Sequence, residues 1–140
     1  MMQYWLLKTE PHVFDWEGLV EQGPSDWDGV RNYAARNHLK SMKVDDLGLM
    51  YYSGEDRTVV GVVRIVEPAY QDPTTDDNRW VAVRIVAEGL LKRPVSLDEI
   101  KADPKLAGMV LIRNSRLSVQ PVTQPEFEQI VAMAGGIVHG

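Results

Sequence analysis

The segment Thr58-Val59-Val60-Gly61-Val62-Val63-Arg64-Ile65-Val66-Glu67-Pro68-Ala69 decides the fold of this chain. Six of its twelve residues are valine or isoleucine, whose branched side chains favour an extended backbone. This is the most strand-like part of the chain, and we expect the other elements to be arranged around it in a sheet.

Shorter apolar segments on either side of this strand predict the remaining strands. Helices are predicted where a capping residue precedes an apolar repeat of three and four residues. The predicted strands are Tyr4–Lys8, Leu47–Ser53, Trp80–Leu90 and Arg116–Pro121, and the predicted helices are 16–22, 32–42, a short one from Leu97, and 124–134. The predicted loops are Ser25–Val30 and Tyr70–Arg79, whereas Leu106–Arg113 fits either a strand or a short helix.

The order of these elements indicates an α+β fold. Strands and helices do not alternate regularly, which argues against a doubly wound parallel sheet. Strands at this spacing favour a small, mostly antiparallel β-barrel with short helices packed outside it. A length of 140 residues suffices for a real core, and we expect residues 1–140 to form one domain.

The composition restricts the chemistry and the location of the protein. The chain has no cysteine, which excludes disulfides, thiolate metal sites and cysteine catalysis. Its N-terminus lacks the basic region of a signal peptide, and no apolar run approaches the length that a membrane helix needs. We therefore expect a cytoplasmic protein that does not associate with a membrane. A monomer is the expected oligomeric state, although none of these features determines it.

The charge is unevenly distributed along the chain. A net charge of −5 argues against a strong sequence-independent grip on nucleic acid. However, residues 31–43 and 105–120 together hold seven of the 15 basic residues and none of the 20 acidic ones. The functional interpretation is one electropositive face on an acidic body, and the alternative is chance clustering on solvated helix faces.

The run from Trp27 to Asn37, with the sequence Trp-Asp-Gly-Val-Arg-Asn-Tyr-Ala-Ala-Arg-Asn, predicts a binding site. Tryptophan offers a flat face for stacking, and arginine and asparagine offer groups that recognise base edges or phosphates. Gly29 allows a tight turn or a close approach to a ligand. If this run lines a pocket, a nucleobase is the natural ligand, and the alternative is that Trp27 only fills the core.

The helix predicted after this loop has two contrasting faces. Ala35, His38, Leu39 and Met42 form an apolar stripe that should face the core. A second stripe carries aromatic, basic and amide groups. Arg36 and Lys40 of this stripe, with Lys43 beyond it, are the candidate contacts to a nucleic-acid backbone. The alternative for Arg31 and Arg36 is pairing with Asp26 and Asp28.

Five separate blocks of sequence stand out along the chain: Tyr4–Pro11, Trp27–Asn37, Tyr51–Gly54, Val60–Val63 and Arg116–Val122. Together they resemble the EVE domain family of the PUA-like superfamily, which includes the thymocyte nuclear proteins and many small bacterial proteins. The blocks lie in the order of the family, and the resemblance extends from about residue 3 to 134. It implies a PUA-like barrel and the recognition of a modified base in DNA or RNA.

The resemblance also implies a set of ligand-binding residues. Trp27 corresponds to an aromatic pocket wall, and Lys8, Thr9 and Glu10 lie at the end of a strand that approaches the pocket. Gly29 lies in the same block as Trp27, and Tyr52 lies in the block Tyr51–Gly54. The remaining members of the expected set fall at polar motif positions of the family: Arg31, Asn32, Ser53, Arg113, Ser115, Arg116 and Ser118. For Arg113 and Arg116, a structural role in closing the barrel is the alternative.

Three functions fit this sequence. The first is a binding module that holds a methylated or hydroxymethylated cytosine or adenine of DNA or RNA in an aromatic pocket. The second is an ASCH-like amidohydrolase acting on a modified nucleoside through Lys8, Thr9 and Glu10, although strand alternation should point Thr9 away from Lys8. The third is an interaction protein with a closed, vestigial pocket.

Neither a cofactor nor a metal is expected from the sequence. His12, His38 and His139 are isolated, and their spacing does not resemble that of a metal site. The chain also lacks a P-loop, a dinucleotide-binding glycine motif and a nucleophile elbow. These observations favour binding over catalysis.

Overall fold

A computed structural model describes residues 2–138 of the chain. Within this range the backbone forms seven strands, five helices and one 3₁₀ turn at Pro104–Leu106. The strands are β1 Tyr4–Thr9, β2 Ser25–Trp27, β3 Leu47–Tyr52, β4 Thr58–Gln71, β5 Val81–Ser96, β6 Val119–Val122 and β7 Ile137–Val138. The helices are α1 Trp16–Gln22, α2 Tyr33–Ser41, α3 Leu97–Ala102, α4 Val110–Arg113 and α5 Gln124–Met133.

All seven strands belong to one mixed sheet. Its order is β2-β5-β4-β3-β1-β6, and β7 pairs with β5 beside β2. Only β1 and β3 run parallel among these pairs. The long β4–β5 pair changes register four times, and such irregularities increase the local bend and twist. The sheet curls into a half-barrel, which confirms the predicted α+β class and its mostly antiparallel strands.

The sheet is buried on both of its faces. Along β1, Trp5 and Leu7 belong to one core cluster and Leu6 to another, as the alternation of side chains in a strand requires. Leu19 of α1 and Leu39 of α2 complete the first cluster. The second cluster contains residues of α3, α4, α5 and the 3₁₀ turn. The predicted short helices therefore cover both sides of the sheet.

Trp16 at the start of α1 lies directly on the backbone of β4. A Cβ atom built at Gly61 would come within 2.4 Å of Cζ3 of Trp16. A side chain at position 61 would therefore displace the indole ring and, with it, helix α1. The glycine within the valine-rich strand is thus the position that allows α1 to pack closely.

Most of the predicted helix boundaries are confirmed. Asp15 caps α1, and Gly23 with a φ of 77° ends it. Ser96 with Glu99 and Thr123 with Glu126 form reciprocal capping boxes at α3 and α5. Each of these signals is local in sequence, since a side chain accepts a hydrogen bond from a backbone N–H three residues later.

Four assignments differ from the sequence prediction. Part of the predicted loop Ser25–Val30 is strand β2, which is only three residues long and pairs with Ile85 to Val83 of β5. Strand β4 continues into the predicted loop as far as Gln71, and β5 continues past Leu90 to Ser96. Strand β7 was not expected. Tertiary pairing, which no local pattern records, creates or extends these strands. The ambiguous segment 106–113 ends in helix α4 rather than a strand.

The loop between β2 and α2 is fixed by a buried carboxylate. Asp72, at the end of β4, is fully buried and accepts hydrogen bonds at Oδ2 from the Gly29 N–H and from Nη1 of Arg31, both at 2.9 Å. At Oδ1 it accepts from the backbone N–H and hydroxyl of Thr74. Burial alone would raise the pKa of Asp72, but these hydrogen bonds outweigh it and hold the pKa at about 2.

We expect Asp72→Asn to destabilise the protein by about 2 kcal/mol at pH 7, because the folded pKa lies below the unfolded value of 3.8. A depressed pKa stabilises the fold above the unfolded pKa, and this contribution is lost as the pH falls towards about 2. Urea unfolding should therefore show a difference between wild type and variant that closes between pH 4 and pH 2. A difference that stays constant over this range would contradict the assignment.

Candidate functional site: a cavity walled by Trp27

A cavity of about 760 Å³ opens where the end of β1, the β2–α2 loop and the segment before β6 meet. This volume lies within the usual range for sites that bind small molecules. Its lining consists of Lys8, Thr9, Glu10, Val13, Phe14, Gln22, Ser25, Asp26, Trp27, Asp28, Gly29, Val30, Arg31, Ser53, Ser115, Arg116 and Ser118.

Trp27 is both a core residue and a wall of the cavity. The residue is 5% exposed. Its ring packs against the ring of Phe14, with 5.6 Å between the ring centroids and an interplanar angle of 56°. Pairing of its backbone with Val83 fixes its position in the sheet. Trp27 therefore fills the core and also lines the cavity, so these two interpretations of the residue are compatible. Stacking of a base on its indole stays a prediction.

The cations of the cavity lie on β1, on the segment before β6 and on the β2–α2 loop. The Lys8 ammonium group donates a hydrogen bond to the Ser115 carbonyl, and the Lys8 N–H donates to the Ser118 carbonyl at 2.9 Å. Burial lowers the pKa of Lys8. Arg116 is exposed and forms no ion pair with any residue in 2–138. Its guanidinium group can therefore take up an anionic ligand.

Three carboxylates line the same cavity. Asp26 accepts hydrogen bonds from the Tyr70 hydroxyl and from Arg84, which also pairs with Glu67. Glu10 lies 3.1 Å from the imidazole of His12. Asp28 receives no hydrogen bond from any other described residue. Acidic and basic groups thus share one cavity, which suits a ligand that carries both donors and acceptors.

Ten of the thirteen predicted ligand-binding residues line the cavity: Lys8, Thr9, Glu10, Trp27, Gly29, Arg31, Ser53, Ser115, Arg116 and Ser118. Although side chains alternate along β1, Thr9 also lines the cavity, because the end of this strand forms one side of it. Among the described residues, three predicted ones lie outside the lining and have structural contacts. Asn32 caps α2 through the Ala35 N–H, the Tyr52 hydroxyl accepts from the Trp16 N–H, and Arg113 donates to the Gly108 carbonyl.

The arginines of the loop and of α2 have other partners than Asp26 and Asp28. Arg31 pairs with the buried Asp72 at 2.9 Å. Arg36 donates to the Asn37 side chain and to the Arg79 carbonyl, and its guanidinium lies 5.0 Å from the ring centroid of Tyr33. The correct acidic partner is 41 residues away in sequence, so local charge patterns could not identify it.

The predicted faces of α2 are largely confirmed. Ala35, Leu39 and Met42 are buried, whereas His38 is half-buried and packs at 5.8 Å against the ring of Trp5. Burial lowers the pKa of His38. On the other face, Lys40 and Lys43 are exposed and form no ion pair within residues 2–138. Helix α2 contacts β6, so the end of the second acid-free stretch lies beside the first in the fold.

Sequence reasoning missed seven residues of the lining. Phe14, Val13 and Val30 add apolar surface around Trp27, and the others are Gln22, Ser25, Asp26 and Asp28. The alternation of Asp26, Trp27 and Asp28 was a signal that could have identified the two carboxylates. No pattern pointed to Phe14, since the turn that brings it to Trp27 has no regular structure.

The described residues offer neither a cluster of metal ligands nor a helix that could span a membrane. Among residues 2–138, no group of three His, Cys, Asp or Glu side chains is placed to hold a metal ion, and His139 lies outside the described residues. No helix in the described part of the chain is long and apolar enough to span a membrane.

Comparison with known proteins places the chain among relatives that are similar over nearly its whole length. It is 34% identical to mouse thymocyte nuclear protein 1 over 167 aligned positions, which cover 95% of this chain and 74% of the relative. It is 43% identical to an Agrobacterium tumefaciens protein of known crystal structure, with a TM-score of 0.92 and coverage of 96% and 94% of the two chains.

A third structure is that of human THYN1 protein in complex with 5-methylcytosine-containing DNA. It is 29% identical to this chain, with a TM-score of 0.84 and coverage of 94% of this chain and 97% of that one. A Zymomonas mobilis ASCH protein, at 9% identity and a TM-score of 0.60, shares the fold alone. The model of the EVE domain matches residues 3–133, and the chain belongs to the EVE domain family.

Proposed function

We propose that this chain is a DNA-binding module that holds a modified cytosine, with 5-methylcytosine as the first candidate, in the cavity walled by Trp27. The observation that carries the proposal is this cavity, which combines an aromatic wall with acidic and basic groups. The complex of human THYN1 with 5-methylcytosine-containing DNA supports the choice of base and of nucleic acid.

A base can enter the cavity only after it has left the stack of neighbouring bases in the DNA. Proteins that bind a single base in a pocket take it from single-stranded DNA or rotate it out of the duplex, at a cost of a few kcal/mol. The apolar groups Trp27, Phe14 and Val30 can cover the base and its methyl group. The polar groups of the rim can then contact the base edge and the sugar.

Phosphate groups of the DNA provide a second set of contacts. Arg116 lies at the cavity, Arg36 and Lys40 lie on α2, and Lys43 follows just after this helix. None of the four forms an ion pair with a described residue. Since the rest of the chain is acidic, few phosphates are contacted, and non-specific binding should be weak and sensitive to salt.

The hydrolase alternative is less well supported by the geometry. The ammonium group of Lys8 is held by the Ser115 carbonyl, and the Glu10 carboxylate lies against His12. Neither arrangement activates the Thr9 hydroxyl as a nucleophile. A vestigial pocket is also less well supported, because the cavity is large and is not filled by its own side chains.

Trp27→Ala should weaken binding to a single-stranded DNA oligonucleotide with one 5-methylcytosine by about 10- to 100-fold, because a stacked base contributes about 1–3 kcal/mol. The preference over unmodified cytosine should disappear as well. Fluorescence anisotropy at fixed low salt measures both effects, with an RNA oligonucleotide of the same sequence as a further ligand.

Because Trp27 is buried, the alanine variant can lose about 3–5 kcal/mol of stability. Trp27→Phe retains most of the apolar contact and should remain folded with several-fold weaker binding. Trp16→Phe is the matched control, since Trp16 is equally buried but lies outside the cavity lining. Unchanged selectivity in folded Trp27 variants would contradict the proposed site, and turnover of modified nucleosides would support the hydrolase instead.

Arg116→Gln should weaken binding to modified and unmodified oligonucleotides by a similar factor, because a phosphate contact does not depend on the base. The slope of log K against log salt concentration should become shallower by about one. Lys101→Gln is the control, since Lys101 lies on α3 at the other face of the sheet. An unchanged salt slope in the Arg116 variant would exclude this phosphate contact.

A further inference from the structure

One acidic side chain of the cavity receives no hydrogen bond from another described residue. Asp28 directly follows Trp27 and lines the same cavity. The neighbouring carboxylates are engaged, Asp26 by Tyr70 and Arg84, and Asp72 by Gly29, Arg31 and Thr74. Within residues 2–138, no other residue donates a hydrogen bond to the Asp28 carboxylate.

Asp28 is exposed to solvent, and its surroundings nevertheless disfavour its negative charge. Burial raises the pKa of Asp28, and the charges of Asp72 and Asp26 raise it further, while Arg31 offsets part of the effect. A hydrogen bond from a ligand N–H would stabilise this carboxylate more than it would stabilise one that already has donors. The cavity thus presents an exposed carboxylate that is free to accept a hydrogen bond from a donor on the ligand.

Discrimination between 5-methylcytosine and thymine can use such a group. Thymine carries the same methyl group at carbon 5, so stacking on Trp27 and contact with the methyl group cannot separate the two bases. They differ at carbon 4, where cytosine has an amino group and thymine has a keto oxygen. A carboxylate accepts a hydrogen bond from the amine, but it faces the keto oxygen with no proton between the two acceptors.

We propose that Asp28 is the specificity-determining residue of the cavity and accepts a hydrogen bond from the exocyclic amino group of the bound base. The inference rests on the proposed function, since it assumes a base stacked beside Trp27. It assigns the choice of an amino-bearing pyrimidine over a keto-bearing one to a residue to which no other residue in 2–138 donates a hydrogen bond. The methyl group is then recognised separately, by the apolar surface.

The test uses the full chain and single-stranded DNA oligonucleotides that differ at one position, which carries 5-methylcytosine, cytosine, thymine or uracil. Wild type should bind 5-methylcytosine about 10- to 100-fold more tightly than thymine. Asp28→Asn should bind the two bases within about threefold of each other, because an amide can reverse its donor and acceptor. Asp28→Ala should lose affinity for 5-methylcytosine with little change for thymine.

Asp76→Asn is the matched control for the change in net charge. Asp76 is exposed, lies outside the cavity lining and has no ion pair in the described part of the chain. Its replacement should shift the affinity for all four oligonucleotides by the same factor. If Asp28→Asn and Asp28→Ala keep the full preference for 5-methylcytosine over thymine, the role of Asp28 is overturned while the proposed function stands. If wild type does not prefer 5-methylcytosine to cytosine, the proposed function fails first.

Discussion

The buried carboxylate of Asp72 is the interaction on which the site depends. It joins the end of β4 to the β2–α2 loop by accepting hydrogen bonds from Gly29, Arg31 and Thr74. The wall residue Trp27 is the last residue of β2, and Asp28 is the first residue of this loop. Because a buried carboxylate without donors would be strongly destabilising, the folded chain has one favourable arrangement of the loop. A rigid loop allows the cavity to exist before a ligand arrives.

The site also depends on the sheet, which is buried on both of its faces. Helices α1 and α2 pack on the face that carries Trp27, and α3 to α5 pack on the other. The cavity lies where the first face reaches the end of β1 and the core gives way to solvent. Apolar residues can therefore cover a base at the bottom of the cavity while charged residues contact its polar edge and the phosphates. The same aromatic residue, Trp27, packs in the core and lines the cavity.

Local signals in the sequence predicted the elements that local chemistry specifies. The valine-rich strand, the caps Asp15, Ser96 and Thr123, and the apolar face of α2 are all confirmed. The short strands β2 and β7 and the partner of Arg31 were not predicted, because each depends on residues about 40 or more positions away. Resemblance to the family motifs identified most of the residues that line the cavity. It did not identify which polar groups already form hydrogen bonds within the protein. Asn32, Tyr52 and Arg113 belong to family motifs and nevertheless serve the fold.

The most direct test of the account is to observe the four tryptophan indole N–H resonances during titration with a short DNA strand that contains 5-methylcytosine. Each resonance can be assigned with a Trp→Phe variant. A base stacked in the cavity predicts a saturable shift of the Trp27 resonance, while Trp5, whose indole donates to the buried Asp46, and Trp16 change little. A Trp27 resonance that stays in place while the strand binds, or a shift centred on Trp16, would contradict binding in this cavity.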